Sequence, residues 1–367
     1  MGHVLVVGTG TIGRPLLGLL EKWSEPLGIT GLAVHKNSPQ ETTVGAVKRM
    51  LSRGAVQLVT EESTVDAFKG WGLKPSMTRP EALQWADVVA DCTPAGLGHM
   101  NGKYVRKDKA TGRKVVTEGE AWYEPVQDRV RGFFAQGSEE GFGMPFALGI
   151  NEEPTNGVQR LQIVSCNTHN LSVIVDVIKG MGLKILDGDF VAIRRCTDIS
   201  QAEMIASPKV DAHNDERFGT HHAKDAWRVY QTLGLDLPLF SSSLQVPTQY
   251  MHVIRFSIQV DKPPTAMQVV DAFRSRPYVA ITQRVTAEQI FSEARDCGFN
   301  GRILDQTVVA VKTISVVGNR IVGFCFTPQD GNSLLTSVAA TARFLNPEDW
   351  KQRMGSLVDR YHFGDPV

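Results

Sequence analysis

The sequence predicts an α/β protein in two parts: an N-terminal, doubly wound parallel sheet and a second, α+β domain whose sheet is mostly antiparallel. Two observations carry this prediction. Over residues 1–100, short apolar runs alternate with stretches of helical periodicity. From residue 161 to residue 329 the apolar runs are longer and richer in Val, Ile and Thr. We therefore expect a first domain formed by residues 1–165 and 330–367, and a second formed by residues 166–329.

The elements of the first domain follow from β-branched runs and apolar spacing. The runs predict buried strands at residues 4–7, 29–34 and 86–92. Apolar residues at helical spacing predict helices at residues 11–23, 44–51 and 64–70. Strands that alternate with helices in this way need right-handed crossovers, which build a parallel sheet. The polar, basic segment 103–114 is expected to be a solvated loop insertion.

The second domain contains longer predicted strands and is followed by helices. Strands are expected at residues 191–195, 252–260 and 308–317, and the segment 252–260 alternates as a half-buried strand does. Residues 334–344 and 350–361 predict helices that return to pack on the first domain.

The composition excludes several classes of protein. Lys plus Arg and Asp plus Glu both total 39, so the formal net charge is zero and no footprint of a nucleic-acid or membrane-surface binder is present. No apolar run approaches the roughly 18 residues of a membrane span. Five scattered cysteines without CxxC spacing argue against a disulfide framework. With no signal-peptide pattern at the start, we expect a soluble, cytoplasmic protein.

A glycine motif stands between the first strand and the first helix. Residues 8–13 read Gly-Thr-Gly-Thr-Ile-Gly, which matches GxGxxG. Gly8 permits the tight turn, Gly10 lets backbone approach a pyrophosphate, and Gly13 lets helix and strand pack closely. The motif alone is weak, and a glycine-rich turn without a ligand is the alternative. Its position after a strand and before a helix favours a Rossmann dinucleotide-binding domain.

The end of the second strand bears on which dinucleotide binds. NAD sites usually place an Asp or Glu there to hold the ribose hydroxyls, but this chain has Lys36, Asn37 and Ser38. Lys36 suits a 2′-phosphate, so the sequence favours NADP over NAD. An exposed loop lysine is the alternative.

Cys166 is the candidate nucleophile. It follows the predicted strand 161–164 and opens a polar, helix-like segment, where backbone amides and the helix dipole lower a thiol pKa. The thiolate is the form that attacks a carbonyl. Taken alone, a free cysteine is more often a buried structural residue, so the neighbouring motifs must decide.

Further polar groups lie along the second domain. Arg194 and Arg195 end a predicted strand and suit phosphate recognition, although a pair of surface charges is the alternative. His221 and His222 lie in a polar loop without the helical spacing of a zinc site, so an anion-binding or merely polar loop is favoured and no metal site is predicted. His252 suits a proton relay to a thiol, with a core histidine as the alternative.

Together these segments resemble the type II, archaeal-style glyceraldehyde-3-phosphate dehydrogenases across nearly the whole chain. The matching pieces, in order, are GTGTIGRPL, HKNSP, ADVVADCTPAGLGHMNGKY, FAQGSEE, IVSCNTHNLS, IRRCTD, GTHHAKD, VPTQYMHV and SVVGNR. The resemblance implies an NAD(P)-dependent, phosphorylating aldehyde dehydrogenase that acts through a cysteine thiohemiacetal and thioester. It also implies a small phosphorylated aldehyde or acyl phosphate as substrate, inorganic phosphate as co-substrate, and a homotetramer.

The resemblance assigns roles to residues at matching positions. Cys166 would be the nucleophile, His252 the general base, and Asn167 part of the oxyanion site. Arg194, Arg195, His221 and His222 would line the phosphate region. The dinucleotide would contact Gly8, Gly10, Thr11, Ile12, Gly13, Lys36, Asn37, Thr93, Pro94, Gly96, Gln136 and Gly137.

The sequence departs from the family pattern beside the nucleophile. CNTHNL stands where the family usually has CNTTGL, which would place His169 and Asn170 beside the reaction centre. By the resemblance, Thr168 and His169 are candidate substrate contacts. RRCTDI and HHAKD also differ from the usual RRAADP and HHGPD. These changes favour retained thioester chemistry with an open choice of substrate. The alternatives are a reductase of a different activated acyl group and a catalytically silent dinucleotide-binding regulator.

Overall fold

The computed structural model describes residues 2–102, 105–107, 114–116, 121–137, 139–197, 204–328, 330–364 and 366–367. The chain divides into two compact units. Unit 1 comprises Met1–Met144, Gly157–Ile163 and Ser337–Leu357. Unit 2 comprises Pro145–Asn156, Val164–Thr336 and Val358–Val367.

The regular elements are numbered in chain order. The strands are β1 (Gly2–Val7), β2 (Ile29–His35), β3 (Val56–Thr60), β4 (Met77–Thr78), β5 (Val88–Asp91), β6 (Val105–Lys107), β7 (Lys114–Val116), β8 (Gly132–Gln136), β9 (Met144–Phe146), β10 (Arg160–Ile163), β11 (Ile185–Arg194), β12 (Lys209–Val210), β13 (Leu239–Gln245), β14 (His252–Val260), β15 (Val279–Thr282), β16 (Thr307–Ala310), β17 (Ser315–Val317) and β18 (Arg320–Thr327). The helices are α1 (Gly13–Lys22), α2 (Ser24–Leu27), α3 (Glu41–Leu51), α4 (Val65–Gly70), α5 (Arg79–Trp85), α6 (Leu97–Gly102), α7 (Cys166–Gly180), α8 (His221–Gln231), α9 (Ala266–Arg274), α10 (Ala287–Ala294), α11 (Gly331–Leu345) and α12 (Trp350–Val358).

Unit 1 is built on a parallel sheet, as the alternating pattern predicts. Its strand order is β4-β3-β2-β1-β5-β8-β10, with parallel pairing between neighbours. β1 is central, and Val4, Leu5, Val6 and Val7 are buried. The chain leaves β1 toward β2 on one side and later adds β5 on the other. Their carboxyl ends therefore form the switch point at which doubly wound sheets bind ligands.

Unit 2 contains a mixed sheet that is mostly antiparallel, also as predicted. Its order is β12-β13-β11-β14-β18-β16-β15, and β17 pairs with β18. The β11–β13 and β15–β16 pairs are parallel, and the other registered pairs are antiparallel. The central strands contribute Phe190, Phe256 and Ile258 to a buried cluster with Ile174 of α7. This packing fixes α7, the helix that begins at Cys166, against the sheet.

Two sequence expectations about local structure were wrong. Residues 308–317 were expected to form one strand, but β16 ends at Ala310 and a 3₁₀ turn, Val311–Thr313, precedes β17. Thr313 stabilises this break, because its hydroxyl donates to the Ala310 carbonyl at 2.7 Å and accepts from the Phe324 amide at 2.9 Å. In the expected loop at 103–114, β6 and β7 pair as antiparallel strands, whereas residues 103–104 and 108–113 lie outside the described part.

The unit boundaries differ from those expected at the C-terminal end. Residues 330–336 and 358–367 group with unit 2, although we expected all of 330–367 in the first domain. Hydrogen bonds explain why residues 358–367 group with unit 2. The Asp305 amide donates to the Tyr361 carbonyl at 3.3 Å, and the Val367 amide donates to the Ile281 carbonyl at 2.9 Å. Among the described residues, no helix is long and apolar enough to cross a membrane.

Candidate active site

The β1–α1 turn has two glycines fixed by backbone packing and one that faces open space. A Cβ on Gly8, whose φ is +103°, would lie 2.7 Å from the Cys92 carbonyl oxygen. A Cβ on Gly13 would lie 2.1 Å from the Gly8 carbonyl oxygen. A Cβ on Gly10 would meet nothing within 4 Å. Gly8 and Gly13 are thus required by the fold, whereas the space at Gly10 is free for a ligand that approaches the backbone.

Ligand pockets in proteins measure roughly 300 to 1,000 Å³, and the pocket beside this turn measures ≈ 530 Å³. It lies at the carboxyl ends of the strands of unit 1. Its lining residues are Gly8, Thr9, His35, Lys36, Asn37, Ser38, Gln40, Thr93, Pro94, Leu97, Asn101 and Trp122. The structure therefore brings together the GxGxxG turn, the segment after β2 and the segment after β5, as a dinucleotide requires. Trp122 and Leu97 add apolar surface that sequence reasoning missed.

Lys36 is a buried cation in this pocket. Its Nζ lies 3.5 Å from the Thr9 hydroxyl oxygen. Burial, and then the positive charge of Arg14, lower the pKa of Lys36. A cation held in this way is stabilised by an anionic ligand, because the ligand supplies the opposite charge that the pocket lacks.

Glu61 contacts the last residue of β2, His35, and its carboxylate is already engaged. Glu61 Oε1 lies 2.9 Å from His35 Nε2 and 2.8 Å from Arg79 Nε. These hydrogen bonds lower the pKa of Glu61 to about 2, with His35 as the largest cause. Arg79 also lies over the Trp122 ring, 4.2 Å from its centroid. Because its carboxylate already binds His35 and Arg79, Glu61 is a poor acceptor for ribose hydroxyls.

The segment after β5 is organised by Asp91, which sequence reasoning also missed. Asp91 is buried and accepts hydrogen bonds from the Thr93 amide at 3.0 Å and from Asn101 Nδ2 at 2.8 Å. The Thr93 and Tyr123 hydroxyls donate to the same carboxylate. An acid two residues before Thr93, the start of Thr-Pro-Ala-Gly, was the available signal, since Asp side chains commonly hydrogen-bond the backbone two residues on.

The remaining predicted cofactor residues lie elsewhere in unit 1. The Gly96 amide donates to Glu139 at 2.5 Å. Gln136 ends β8, and its side-chain amide donates to the Ser337 hydroxyl at 2.9 Å. Gly137 donates to the Ile163 carbonyl and accepts from Gln162 Nε2, both within 2.9 Å. Thr11 and Ile12 belong to the turn before α1. None of these residues is among those that line the pocket described above.

Cys166 is the first residue of α7, in unit 2. Ser165 is the N-cap, and its hydroxyl oxygen accepts from the Thr168 amide at 3.3 Å. Cys166 is partly exposed. The thiol therefore lies at the positive end of a fifteen-residue helix.

The groups around Cys166 have opposing effects on the pKa of its thiol. Burial, and then the Asp330 carboxylate, raise the pKa of the thiol to about 12. The Arg195 guanidinium and the backbone amides of Asp330 and Asn167 act in the opposite direction. The expected lowering of the pKa by the helix N-terminus is thus outweighed by desolvation and by a carboxylate distant in sequence.

His252 is fixed by the backbone next to Arg195. It begins β14, is buried, and its Nδ1 accepts from the Arg195 amide at 2.9 Å. A neutral imidazole whose Nδ1 accepts carries its proton on Nε2. Burial, and then the charges of Arg195 and Arg194, lower the pKa of His252 to about 3. His252 therefore rests as a neutral ring with an Nε2–H donor.

Asn167 is connected to a buried histidine of the next helix. Its Nδ2 lies 3.4 Å from His222 Nε2, and His222 Nδ1 lies 3.2 Å from the Thr220 hydroxyl. Burial lowers the pKa of His222, with contributions from His221, Arg194 and His252. Asn167 Oδ1 is buried without a hydrogen-bond partner among the described residues. The neutral His222 ring therefore orients an Asn167 amide group that is not fully satisfied.

Arg194 and His221 lie at the outer part of this cluster. Arg194 donates to Asp211, whose carboxylate also accepts from the Ser243 hydroxyl. The Arg194 Nε is buried without a hydrogen-bond partner among the described residues. The exposed ring of His221 lies 4.0 Å, centroid to centroid, from that of His222. In the described residues no group of three or more His, Cys, Asp or Glu could hold a metal ion.

Thr168 and the two residues that differ from the family pattern, His169 and Asn170, have hydrogen-bond partners in unit 2. The Thr168 hydroxyl lies 2.9 Å from that of Ser165 and completes the helix cap. His169 is buried, and its Nε2 lies 2.9 Å from the Leu148 carbonyl oxygen. Asn170 donates to the Thr327 hydroxyl at 2.9 Å and accepts from the Thr307 hydroxyl, so it joins α7 to two strands. These contacts fix Thr168 and Asn170 within unit 2, whereas Nδ1 of His169 is buried without a hydrogen-bond partner among the described residues.

The chain is similar to known proteins along most of its length. Residues 165–297 match the family described as glyceraldehyde 3-phosphate dehydrogenase, C-terminal domain. A glyceraldehyde-3-phosphate dehydrogenase of Methanothermus fervidus is 24% identical over 96% of both chains. That of Hyperthermus butylicus is 28% identical over 86% of this chain and 84% of its own. That of Pyrococcus furiosus is 24% identical over 94% of both.

Proposed function

Because the chain is a member of the archaeal-style glyceraldehyde-3-phosphate dehydrogenase family, we propose that it oxidises a small phosphorylated aldehyde to an acyl phosphate. The enzyme is an NAD(P)-dependent oxidoreductase of this class. One observation supports the proposal most directly. Cys166 opens α7, the positive charge of Arg195 acts on its thiol, and the amide of that same arginine fixes His252. A silent regulator would need none of these groups together, and the comparisons favour neither it nor the reductase of another acyl group.

The first step is attack of the Cys166 sulfur on the aldehyde carbon. A carbon–sulfur bond forms, the carbonyl π bond breaks, and the thiol proton goes to the carbonyl oxygen, which leaves a thiohemiacetal. The positive charge of Arg195 and the amide of Asn167 stabilise negative charge that develops on sulfur and oxygen. Asn167 suits this role because its amide is oriented by His222.

The resting state of His252 changes the role that we assign to it. A general base must accept a proton, but Nδ1 already accepts from Arg195 and Nε2 carries hydrogen. We therefore assign His252 as a donor, whose Nε2–H would bind the carbonyl oxygen and then the oxygen of the thiohemiacetal. This assignment replaces the expected general base.

The second step is oxidation of the thiohemiacetal to a thioester. NAD(P), when bound, supplies the acceptor for the hydride that leaves carbon, while the hydroxyl proton is released to solvent or a base. A phosphate oxygen then attacks the thioester, the carbon–sulfur bond breaks, and an acyl phosphate leaves. The cluster of Arg194, Arg195, His221 and His222 would hold the phosphate groups, because paired cations recognise such dianions.

The dinucleotide would occupy the pocket of unit 1, with NADP preferred. Lys36 is buried there and lacks an ionic partner within that pocket's lining, while Glu61 is engaged by His35 and Arg79. The 2′-phosphate of NADP supplies the charge that Lys36 needs. We further propose, on the resemblance alone, that the enzyme is a cytoplasmic homotetramer.

Absorbance at the NADPH band tests the proposed function. Purified enzyme is mixed with glyceraldehyde 3-phosphate and either NADP or NAD, with and without phosphate, and C166A is the control. We expect turnover that requires phosphate, is faster with NADP at low concentration, and disappears in C166A. Turnover that persists in C166A, or that is independent of phosphate, would refute the phosphorylating thioester mechanism.

A further inference from the structure

Trp122 is a partly exposed aromatic side chain in the pocket of unit 1. It lines that pocket together with Lys36 and with Gly8 of the glycine turn. It also packs against the buried cluster of unit 1 that contains Leu5 and Phe133. The Trp122 ring therefore connects the protein interior with the space in which the dinucleotide is expected.

Polar side chains hold the Trp122 ring on one face and at its edge. The Arg79 guanidinium lies 4.2 Å from the ring centroid. Arg79 Nε lies 2.8 Å from Glu61 Oε1, and the same oxygen lies 2.9 Å from His35 Nε2. The His35 ring meets Trp122 edge to face, with 5.4 Å between the centroids. The Glu61 carboxylate thus holds both side chains that contact the indole.

The backbone beside Trp122 is fixed as well. Tyr123 is buried, its hydroxyl donates to the Asp91 carboxylate, and its amide donates to the Asn101 carbonyl at 3.1 Å. Asn101 Nδ2 donates to Asp91 at 2.8 Å, and Asn101 lines the pocket. An aromatic ring held in this way loses little conformational entropy when a ligand covers it.

Part of the ring surface is left for a ligand. Arg79 covers one face of Trp122 but is not among the described residues that line the pocket, whereas Trp122 is. The ring therefore reaches the pocket through a surface that Arg79 leaves uncovered. Leu97, which is 40% exposed, lines the same pocket. Apolar surface of this kind suits a planar heterocycle better than it suits a charged group.

The neighbourhood of Lys36 indicates which part of the dinucleotide meets this surface. His35, whose ring contacts Trp122, directly precedes Lys36 in the chain. Lys36 is the residue that we assign to the 2′-phosphate of NADP, and the ribose that carries this phosphate also carries adenine. The purine is therefore the part of the ligand expected beside Trp122.

We propose that Trp122 stacks on the adenine ring of NAD(P), and that Glu61 is a positioning residue that acts on Trp122 through Arg79. This inference rests on the proposed function in that the pocket of unit 1 is taken as the dinucleotide site. Stacking does not depend on the 2′-phosphate. Trp122 consequently contributes equally to the binding of NAD and NADP, whereas Lys36 contributes to the choice between them.

Fluorescence titration with 2′,5′-ADP tests the stacking directly. This probe is the adenosine half of NADP without nicotinamide, so it requires no turnover. We expect it to quench part of the tryptophan emission of the parent, because the purine is in contact with the indole. W122F keeps an aromatic face but removes this emission, so the quench should disappear while the dissociation constant stays within about threefold of the parent value.

W71F is the matched control for the fluorescence measurement. Trp71 is 39% exposed and does not line the pocket. Its replacement should leave both the quench and the dissociation constant unchanged.

Removal of the aromatic face should weaken both cofactors to the same extent. W122A should raise the dissociation constants of NADPH and NADH about tenfold each, as measured by titration of nicotinamide fluorescence. E61Q keeps the shape of the side chain but weakens its hold on Arg79, so both constants should rise about threefold.

Loss of the quench in W122F, together with equal losses of affinity for NADPH and NADH in W122A, would support the inference. A quench that persists in W122F, a folded W122A with parent-like affinities, or a loss confined to NADPH would overturn it and leave the proposed function standing. Circular dichroism identifies a W122A protein that failed to fold, and the quench in W122F then decides alone. A parent that binds neither NADPH nor 2′,5′-ADP would refute the dinucleotide site itself, and the inference with it.

Discussion

Lys36 and Cys166 gain their properties from neighbours that the local sequence does not reveal. Lys36 could be predicted as a phosphate ligand because it follows a strand that leads into the switch point of the sheet. Cys166 could be predicted as a nucleophile because it follows a strand and opens a helix. The effect of the Asp330 carboxylate on the pKa of Cys166 could not be predicted, since the two residues are distant in sequence. Likewise, the donor state of His252 depends on one backbone amide.

Removal of the Lys36 charge should change the choice of cofactor. K36M loses the cation that would meet a 2′-phosphate, so the KM for NADP should rise about tenfold or more, the worth of one charge-assisted contact. The KM for NAD should change much less, because NAD has no phosphate at this position. Initial rates at varied concentrations of each cofactor measure the two KM values and their ratio.

K48M is the matched control for this substitution. Lys48 is exposed on α3 and does not line the pocket, so its loss should leave both constants unchanged. An equal rise for NAD and NADP in K36M would contradict the assignment, since it would indicate general damage to the pocket.

At the scale of elements, the β1–α1 turn contains two glycines that the fold requires and one that leaves space for a ligand. GxGxxG predicted both the turn and its ligand, but only the structure distinguishes the three glycines. A Cβ on Gly8 or Gly13 would meet backbone atoms, whereas Gly10 faces open space.

The CNTHNL segment shows a case in which the sequence suggested a binding role and the structure gives structural contacts. Its sequence suggested substrate contacts, but His169 and Asn170 are buried in unit 2, where His169 Nε2 lies near the Leu148 carbonyl and Asn170 donates to Thr327.

Alanine substitutions in this turn should have contrasting effects. G13A places a Cβ 2.1 Å from the Gly8 carbonyl oxygen, so we expect a loss of about 2 kcal/mol in unfolding free energy. G10A meets no protein atom, so stability should change by less than about 1 kcal/mol while NADPH affinity falls about tenfold or more. Urea denaturation and NADPH fluorescence titration measure the two quantities. A G10A protein that binds NADPH as tightly as the parent would exclude the turn from the dinucleotide site.

At the scale of the whole molecule, the fold class was predictable and the exact partition of the chain was not. The alternating strands and helices predicted the parallel sheet, and the longer strands predicted the mixed sheet. The break at Thr313 and the return of residues 358–367 to unit 2 depend on individual hydrogen bonds between distant segments. Periodicity contains no information about such bonds, because they depend on how elements pack.

The buried neutral histidines should make the protein sensitive to acid. Burial lowers the pKa of His252 from 6.5 to about 3, and it also lowers those of His222 and His169. The unfolded chain binds more protons than the folded chain below the ordinary histidine pKa, so stability falls as pH decreases through this range. Each histidine contributes a slope of roughly 1.4 kcal/mol per pH unit.

Urea denaturation between pH 7 and pH 5 measures this slope, above the range in which carboxylates such as Glu61 titrate. H252N offers an amide oxygen to the Arg195 amide but does not titrate, so its unfolding free energy should fall less steeply with acid than that of the parent. Equal slopes in the two proteins would contradict a buried, neutral His252.

The most direct test of the central claim is detection of the acyl-enzyme on Cys166. The enzyme is mixed with glyceraldehyde 3-phosphate and NADP without phosphate, quenched in acid and digested, and the peptides are measured by mass spectrometry. We predict that the peptide containing Cys166 gains the mass of a 3-phosphoglyceryl group, and that addition of phosphate before the quench removes it. An unmodified Cys166 peptide during active turnover, or the acyl group on another cysteine, would contradict the account.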